Sequence, residues 1–443
     1  MTVSDQYSGS LVKTNYSRML IITSERMRVV VEVTERMVES AIDRDRVIQW
    51  ALELAQFSNS RSSETPIAEY LCNELQKLGL RAKIETIAAG RSNAVGVLQG
   101  QGGGYTLLFN GHLDFESIRG FTNSESPRVI DDAWVYGPGL ANMKSAIAAY
   151  LGAVDAIVRS DMELRGDVVI AGVAAGERHS GDNHDDYHPG RQGAGTRYMI
   201  SHGCIADMCI LGEPTALKIV PAHFGKCLIE VVVRPSLDDY ENPVIAMKKV
   251  LNEIEEWIPQ YQAKRMFREV DPPVGITAVR SHSFGDRDMV SAPPAQCDLY
   301  IEVRPCPGEH PLEVLDEIRR TVGRVRGLAN NIEIGIDMLR AESGHEIGLE
   351  APVSQAVYKA HENVSRSSPE VTYPGWCGDA AYLNRAGIQT VIYGPGGGIS
   401  RDEAQKLRED VEDLSGVQKI EDLITATKVY ALAAVDICGK ARI

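Results

Sequence analysis

A histidine and an aspartate stand two residues apart at the end of an apolar run, in NGHLD at 110–114. On an extended chain that spacing puts His112 and Asp114 on one face. A neutral imidazole is a ready metal ligand, and a neighbouring carboxylate can orient its ring. Four more segments place ligand types or tight turns after apolar runs: YGPGLANMK (136–144), the Gly176–Glu177 pair, LGEPT (211–215) and YGPGG (393–397). They add the amide of Asn142 and the carboxylates of Glu177 and Glu213. One HxD pair is an ordinary surface feature, but five converging strand ends are how an α/β enzyme builds a site. The chemistry those residue types offer is a divalent cation that activates water for hydrolysis.

Those residues need elements to hold them. From Asp43 the chain alternates helical and extended patterns. Helices are expected over 45–57, from Thr65-Pro66 to the glycine at 79, and from about Asn142 to Arg159. Strands are expected at 81–87, 93–99, 105–110, 167–174 and 207–212, several of them apolar enough to be buried on both faces. After Thr215 the pattern changes. A strand at 226–234, a helix from Pro243 to Trp257, a strand at 298–304, a helix at 311–325 and a strand at 331–337 read as an inserted β-α-β-β-α-β-like unit. The α/β pattern then resumes with a helix at 351–361, a strand at 389–393 and a helix at 419–437. The domain reading is an extension over 1–44, helical from Ser24, a first catalytic segment over 45–216, an inserted domain over 217–341 and a second catalytic segment over 342–443. No internal repeat or low-complexity tract occurs.

The 443 residues carry 46 Lys and Arg against 61 Asp and Glu, a formal net charge of −15. That balance argues against nucleic acid and anionic membranes, both of which reward basic surfaces. A small-molecule substrate is expected. No apolar run reaches membrane-spanning length, and no leader peptide is visible. The 8 Cys include no CxxC pair, so reduced thiols in the cytoplasm are expected.

The motifs at 110–114, 136–144, 176–177, 193–196 (GAGT), 211–215, 378–396 and 419–438 together resemble the metal-dependent family of acetylornithine deacetylases, succinyl-diaminopimelate desuccinylases, aminoacylases and glutamate carboxypeptidases. The resemblance spans about residues 45–443. It implies an α/β/α sandwich with a mixed sheet, interrupted by a smaller ferredoxin-like α+β lid that also dimerises. It implies two divalent metals in typical members. Carried over, His112 and Glu213 match ligands of one metal, Asp114 the orienting acid and Glu177 a metal-binding Glu, or the base if the match slips by one residue.

This chain departs from that pattern. Asn142 stands where a bridging Asp is expected, and an amide is a poorer bridge between cations. Gly176 replaces one Glu of a pair. The late metal-binding His is absent, since His361 is the last histidine; Ile399, Ser400, Glu409 and Glu412 occupy that region. The lid's substrate-contacting His is missing near 234–239. The resulting expectation is one weakly held Mn, Zn or Co per chain on His112, Asn142, Glu177 and Glu213, with Asp114 and Glu177 catalytic. The reduced pattern looks like the branch that hydrolytically removes the amino group of 5-nitroanthranilate, giving 5-nitrosalicylate and ammonia. Amide hydrolysis of an N-acyl amino acid or dipeptide is the alternative, and an inactive binding or assembly relative is a third reading. The loop 178–191, with His179, His184 and His188, is read first as a solvated surface loop, with metal ligands or a proton shuttle beside Glu177 as the other use. Arg304 is read as pairing with Glu302 or Glu309, with binding of a substrate carboxylate as the other use. Trp376 is read as core packing, with stacking on a planar substrate as the other use. His223, His282, His310 and His345 are read as ordinary.

Overall fold

In a computed structural model, residues 36–57, 63–115, 126–175, 193–236, 241–283, 294–326, 332–411 and 413–442 are described. Of the helix expected from Ser24, residues 36–40 are described and are helical; the part before residue 36 lies outside the described residues, as do the loop 178–191 and Glu177.

Strands β1 (Arg81–Ala88), β2 (Arg91–Leu98), β3 (Leu107–His112), β4 (Val168–Val173) and β5 (Met208–Leu211) belong to one sheet. The chain then leaves it for β6 (Lys226–Pro235), β7 (Val274–Ser283), β8 (Pro294–Val303) and β9 (Ile332–Glu342), and returns with β10 (Gln389–Ile392). The six-stranded order is β1-β2-β4-β3-β5-β10. β1, β2 and β4 pair antiparallel, whereas β4, β3, β5 and β10 run parallel. Every residue of β3 and β4 is buried, which is why these strands read as unbroken apolar runs. From β3 the chain passes to β4 on one side and to β5 on the other. The C-terminal end of β3, where His112 sits, is therefore a topological switch point, where open α/β sheets bind ligands.

Helices α1 (Arg44–Ala55), α2 (Thr65–Lys77), α3 (Ser145–Arg159) and α4 (Ala194–Ser201) alternate with the first strands. α5 (Pro243–Lys264) and α6 (Pro311–Arg326) belong to the inserted unit, followed by α7 (Pro352–Ser365), α8 (Ala380–Arg385), α9 (Arg401–Leu407) and α10 (Ile420–Cys438). Residues of α1, α2, α3, α7 and α10 share one core with the sheet. Gly152 lets α3 lie against its neighbours, because a Cβ there would overlap Val47 and Thr427.

The inserted unit has the strand order β7-β8-β6-β9, with every neighbouring pair antiparallel. Combined with the chain order, this is the ferredoxin-like arrangement. Alternate residues Cys227, Ile229, Val231 and Val233 enter a core shared with Val250 and Ile254 of α5 and with Ile318 and Val322 of α6.

Three local expectations change. α5 runs on through Pro259 to Lys264 instead of ending at Trp257. Tyr261 is buried in that extra length and donates to Glu309 at 2.7 Å, which offsets the proline's lost hydrogen bond. β7 is an edge strand with mostly exposed residues, so it carries little apolar alternation to betray it. α3 begins at Ser145, because Asn142 (φ −150°, ψ 102°) and Met143 (φ −133°, ψ 28°) are non-helical. No described helix is long and apolar enough to cross a membrane.

Candidate metal site

β3 delivers His112 to the sheet edge with 4% of its surface exposed. Its Nδ1 lies 2.7 Å from the backbone oxygen of Asp114. That carbonyl can only accept, so Nδ1 carries the proton and Nε2 presents its lone pair. The Asp114 carboxylate lies 3.7 Å from the same nitrogen, within ion-pair distance, so the main chain makes the hydrogen bond and the side chain stands beside it. Asp114→Asn keeps that carbonyl. We expect metal affinity to fall by no more than about tenfold, the low end for an orienting partner; a loss above about a hundredfold in a metal titration would contradict the geometry.

Glu213 follows β5, the parallel neighbour of β3. Its Oε2 lies 3.9 Å from His112 Nε2. This is too far for a hydrogen bond. It is less than the sum of two metal–ligand bonds, about 4.2 Å, so both atoms can reach one cation. Beside Asn142 in the chain, Met143 Sδ accepts the backbone N–H of His112 at 3.0 Å. The next residue, Lys144, is fully buried. Its Nζ donates to Phe57 O at 2.7 Å and sits 4.6 Å above the Phe115 ring. Burial pushes its amine down to about 7, partly opposed by Asp114. The sequence signal for Lys144 was its place beside Asn142, and only its burial marks it out.

A second polar chain backs β3. Asn110 Nδ2 donates to Thr196 Oγ1 at 3.1 Å, and that hydroxyl donates to Asp379 Oδ2 at 2.5 Å. Burial pushes Asp379 up to about 6, against the Thr196 hydrogen bond and the nearby His112. Beside β4, Ala174 N donates to Asn93 Oδ1 at 2.9 Å and Ala175 N reaches Glu64 Oε1 at 3.4 Å. Gly193 N donates to Ala175 O at 2.6 Å. The two residues flanking 176–192 are thus pinned together.

Among the described residues no three His, Cys, Asp or Glu side chains group tightly enough to hold a metal. His112 and Glu213 are the expected ligands that the described residues bring together. Two of the four positions considered for the missing late histidine serve the fold. Ser400 caps α9 in a reciprocal pair with Glu403, Ile399 packs on the cluster around Trp134 and Val417, and Glu409 is exposed. Glu412 lies outside the described residues.

Arg304 pairs with Glu302 at 2.9 Å and donates to Gly375 O at 2.7 Å. This is its expected structural use. His223 and His345, by contrast, are not ordinary. They pair across the two-residue ladder where the chain enters and leaves the inserted unit. Their ring centroids lie 5.3 Å apart. Burial pushes His223 down to about 4, against its hydrogen bond to Phe224 O. Burial, then the neighbouring His223, pushes His345 down to about 3. Both values lie below the unfolded imidazole value of about 6.5, so the unfolded chain binds more protons between the two. Stability from the neutral pair is present above pH about 6.5 and lost as pH falls toward about 4. His345→Phe should flatten that acid loss in denaturant melts; an unchanged slope would contradict the buried neutral pair.

An α/β core that brings an imidazole and a carboxylate to adjacent parallel strand ends, and carries a ferredoxin-like insert, is the layout of a metal-dependent hydrolase acting on amide or peptide bonds. The chain belongs to peptidase family M20/M25/M40, whose model matches residues 108–436. It is similar to acetylornithine deacetylase of Buchnera aphidicola, 24% identical over 351 residues, covering 75% of this chain and 84% of that protein. It is also similar to N-formyl-4-amino-5-aminomethyl-2-methylpyrimidine deformylase of Bacillus subtilis, 22% identical and covering 90% and 96%. Among solved structures, aminopeptidase PepT of Bacillus cereus superposes with a TM-score of 0.67 at 16% identity, covering 90% of this chain and 100% of that one. The Bacillus subtilis YXEP protein, described as a dinuclear metal binding peptidase, gives 0.64 at 15% identity, covering 89% and 98%. The family acts on C–N bonds of amide and peptide type with divalent metals.

Proposed function

We propose that this chain hydrolyses the amide C–N bond of a small N-acyl or N-formyl amine, using a divalent metal held by His112 and Glu213. The observation that carries this is the 3.9 Å approach of His112 Nε2 and Glu213 Oε2 across neighbouring strand ends, with Nδ1 already committed to Asp114 O. A bound divalent ion supplies Lewis-acid polarisation and a water acidified toward neutral pH. His112 is held in the tautomer whose Nε2 carries the lone pair, and Glu213 brings negative charge opposite it. Asn142 contributes a neutral amide, and Glu177 is the carboxylate assigned to proton transfer. With these donors we assign one labile metal per chain. Self-association through the lid, whose edge strand β7 is exposed, belongs to the same proposal.

The deaminating reading, in which water displaces ammonia from an electron-poor aromatic amine such as 5-nitroanthranilate, is second. The aromatic ring of Trp376 near Glu213 favours it, but the relatives named above act on amides. Metal-loaded protein offered N-acetylornithine, the N-formyl pyrimidine and 5-nitroanthranilate separates them. Amide cleavage without ammonia release from the nitroaromatic supports the first reading, and the reverse supports the second. No turnover of any of the three, with or without a chelator, overturns both.

A further inference from the structure

Trp376 lies in the loop that Arg304 anchors, before α8. It is partly buried against Met143, Leu211, Val220, Ala380 and Ile392. Gly378 separates it from Glu213. A Cβ built on that glycine would lie 3.5 Å from the Trp376 ring edge and 3.5 Å from Glu213 Oε1. The absence of a side chain there leaves the indole and the carboxylate bordering the same space. The indole also packs beside His223, at 5.9 Å between ring centroids and 31° between planes, and His223 packs beside His345. An aromatic column thus runs from the lid crossings to the edge of the candidate metal site. Its inner members are 2% and 1% exposed, which gives the indole a firm backing.

We propose that Trp376 determines substrate specificity, its ring forming the wall against which a flat, conjugated group next to the scissile C–N bond stacks. This rests on the amide-hydrolysis reading and adds the substrate class. The gain from stacking is of the size found for aromatic pairs, roughly three- to tenfold in affinity. His223 acts as a positioning residue behind the ring.

Calorimetric titration tests this without turnover, so its failure is separate from failure of the reaction assay. The probes are two amines, 4-amino-5-aminomethyl-2-methylpyrimidine and ornithine, against wild type, Trp376→Phe and Trp376→Leu. The expected result is tighter binding of the pyrimidine than of ornithine by wild type, loss of roughly three- to tenfold for the pyrimidine alone in Trp376→Leu, and near-wild-type binding in Trp376→Phe. The proposal is overturned if wild type binds neither amine or shows no preference. It is also overturned if Trp376→Leu leaves the preference intact or weakens both amines equally, as a purely structural role would.

Discussion

Substitution of His112 by Ala should lower kcat/KM by about 1000-fold or more and strip the metal, while the protein stays folded. The imidazole is buried at the switch point of the sheet, its proton is fixed on Nδ1 by Asp114 O, and Nε2 faces Glu213. Removing it deletes the only imidazole of the described ligand pair, and a metal's contribution to charge stabilisation is several kcal/mol. Circular dichroism should be unchanged, because the sheet's hydrogen bonds are made by the main chain of β3. Metal content after gel filtration should fall with activity. Full activity in this variant would place the chemistry elsewhere in the molecule. Two tightly bound ions per wild-type chain would overturn the assignment of a single labile metal.

The largest effect on stability is expected at Arg91. Its guanidinium donates through Nε and Nη2 to the carboxylate of Glu64, at 3.0 and 2.5 Å. Glu64 is completely buried and Arg91 is 7% exposed. Arg91→Met leaves an uncompensated buried carboxylate, which costs about 3–5 kcal/mol. Pairing it with Glu64→Met should restore much of that loss, since two apolar residues leave no stranded charge. Chemical denaturation of the two variants reads this directly; a change below about 1 kcal/mol in Arg91→Met would contradict the buried pair. Because Glu64 also receives Ala175 N beside the segment that carries Glu177, the double variant should regain stability more fully than activity.

Much of the site was readable because its chemistry sits where strands end. The apolar runs of β3, β4 and β5 announce fully buried parallel strands, and the residues after them are then set at one sheet edge by parallel pairing alone. His112 and Glu213 meet for that reason, and both were expected as ligands. Asn142 was placed at a helix start, yet it stands in an extended stretch just before α3, because its neighbour Met143 is docked on β3 through the His112 N–H. Asp114 was expected to orient the imidazole, and it is its main-chain oxygen that makes the hydrogen bond at 2.7 Å, with the carboxylate 3.7 Å away. A sequence shows which side chain is present but not which atom of the residue a neighbour meets.

The sequence by itself determined the element types, through periodicity, the break into a ferredoxin-like insert, and the family, through motifs at strand ends. It also showed an amide at Asn142, a glycine at 176 and no histidine after His361, where the family resemblance implies acidic and imidazole ligands. Only the tertiary structure decided which distant residues meet. His223 and His345 lie on either side of the lid and pack ring to ring only because both chain crossings pair there. Glu64 finds Arg91, and Thr196 finds Asp379, through contacts between elements far apart in the chain. Such contacts leave no local periodic trace, since each partner alone reads as an ordinary polar residue. Burial and proximity, which set their charge states, exist only once the layers have packed.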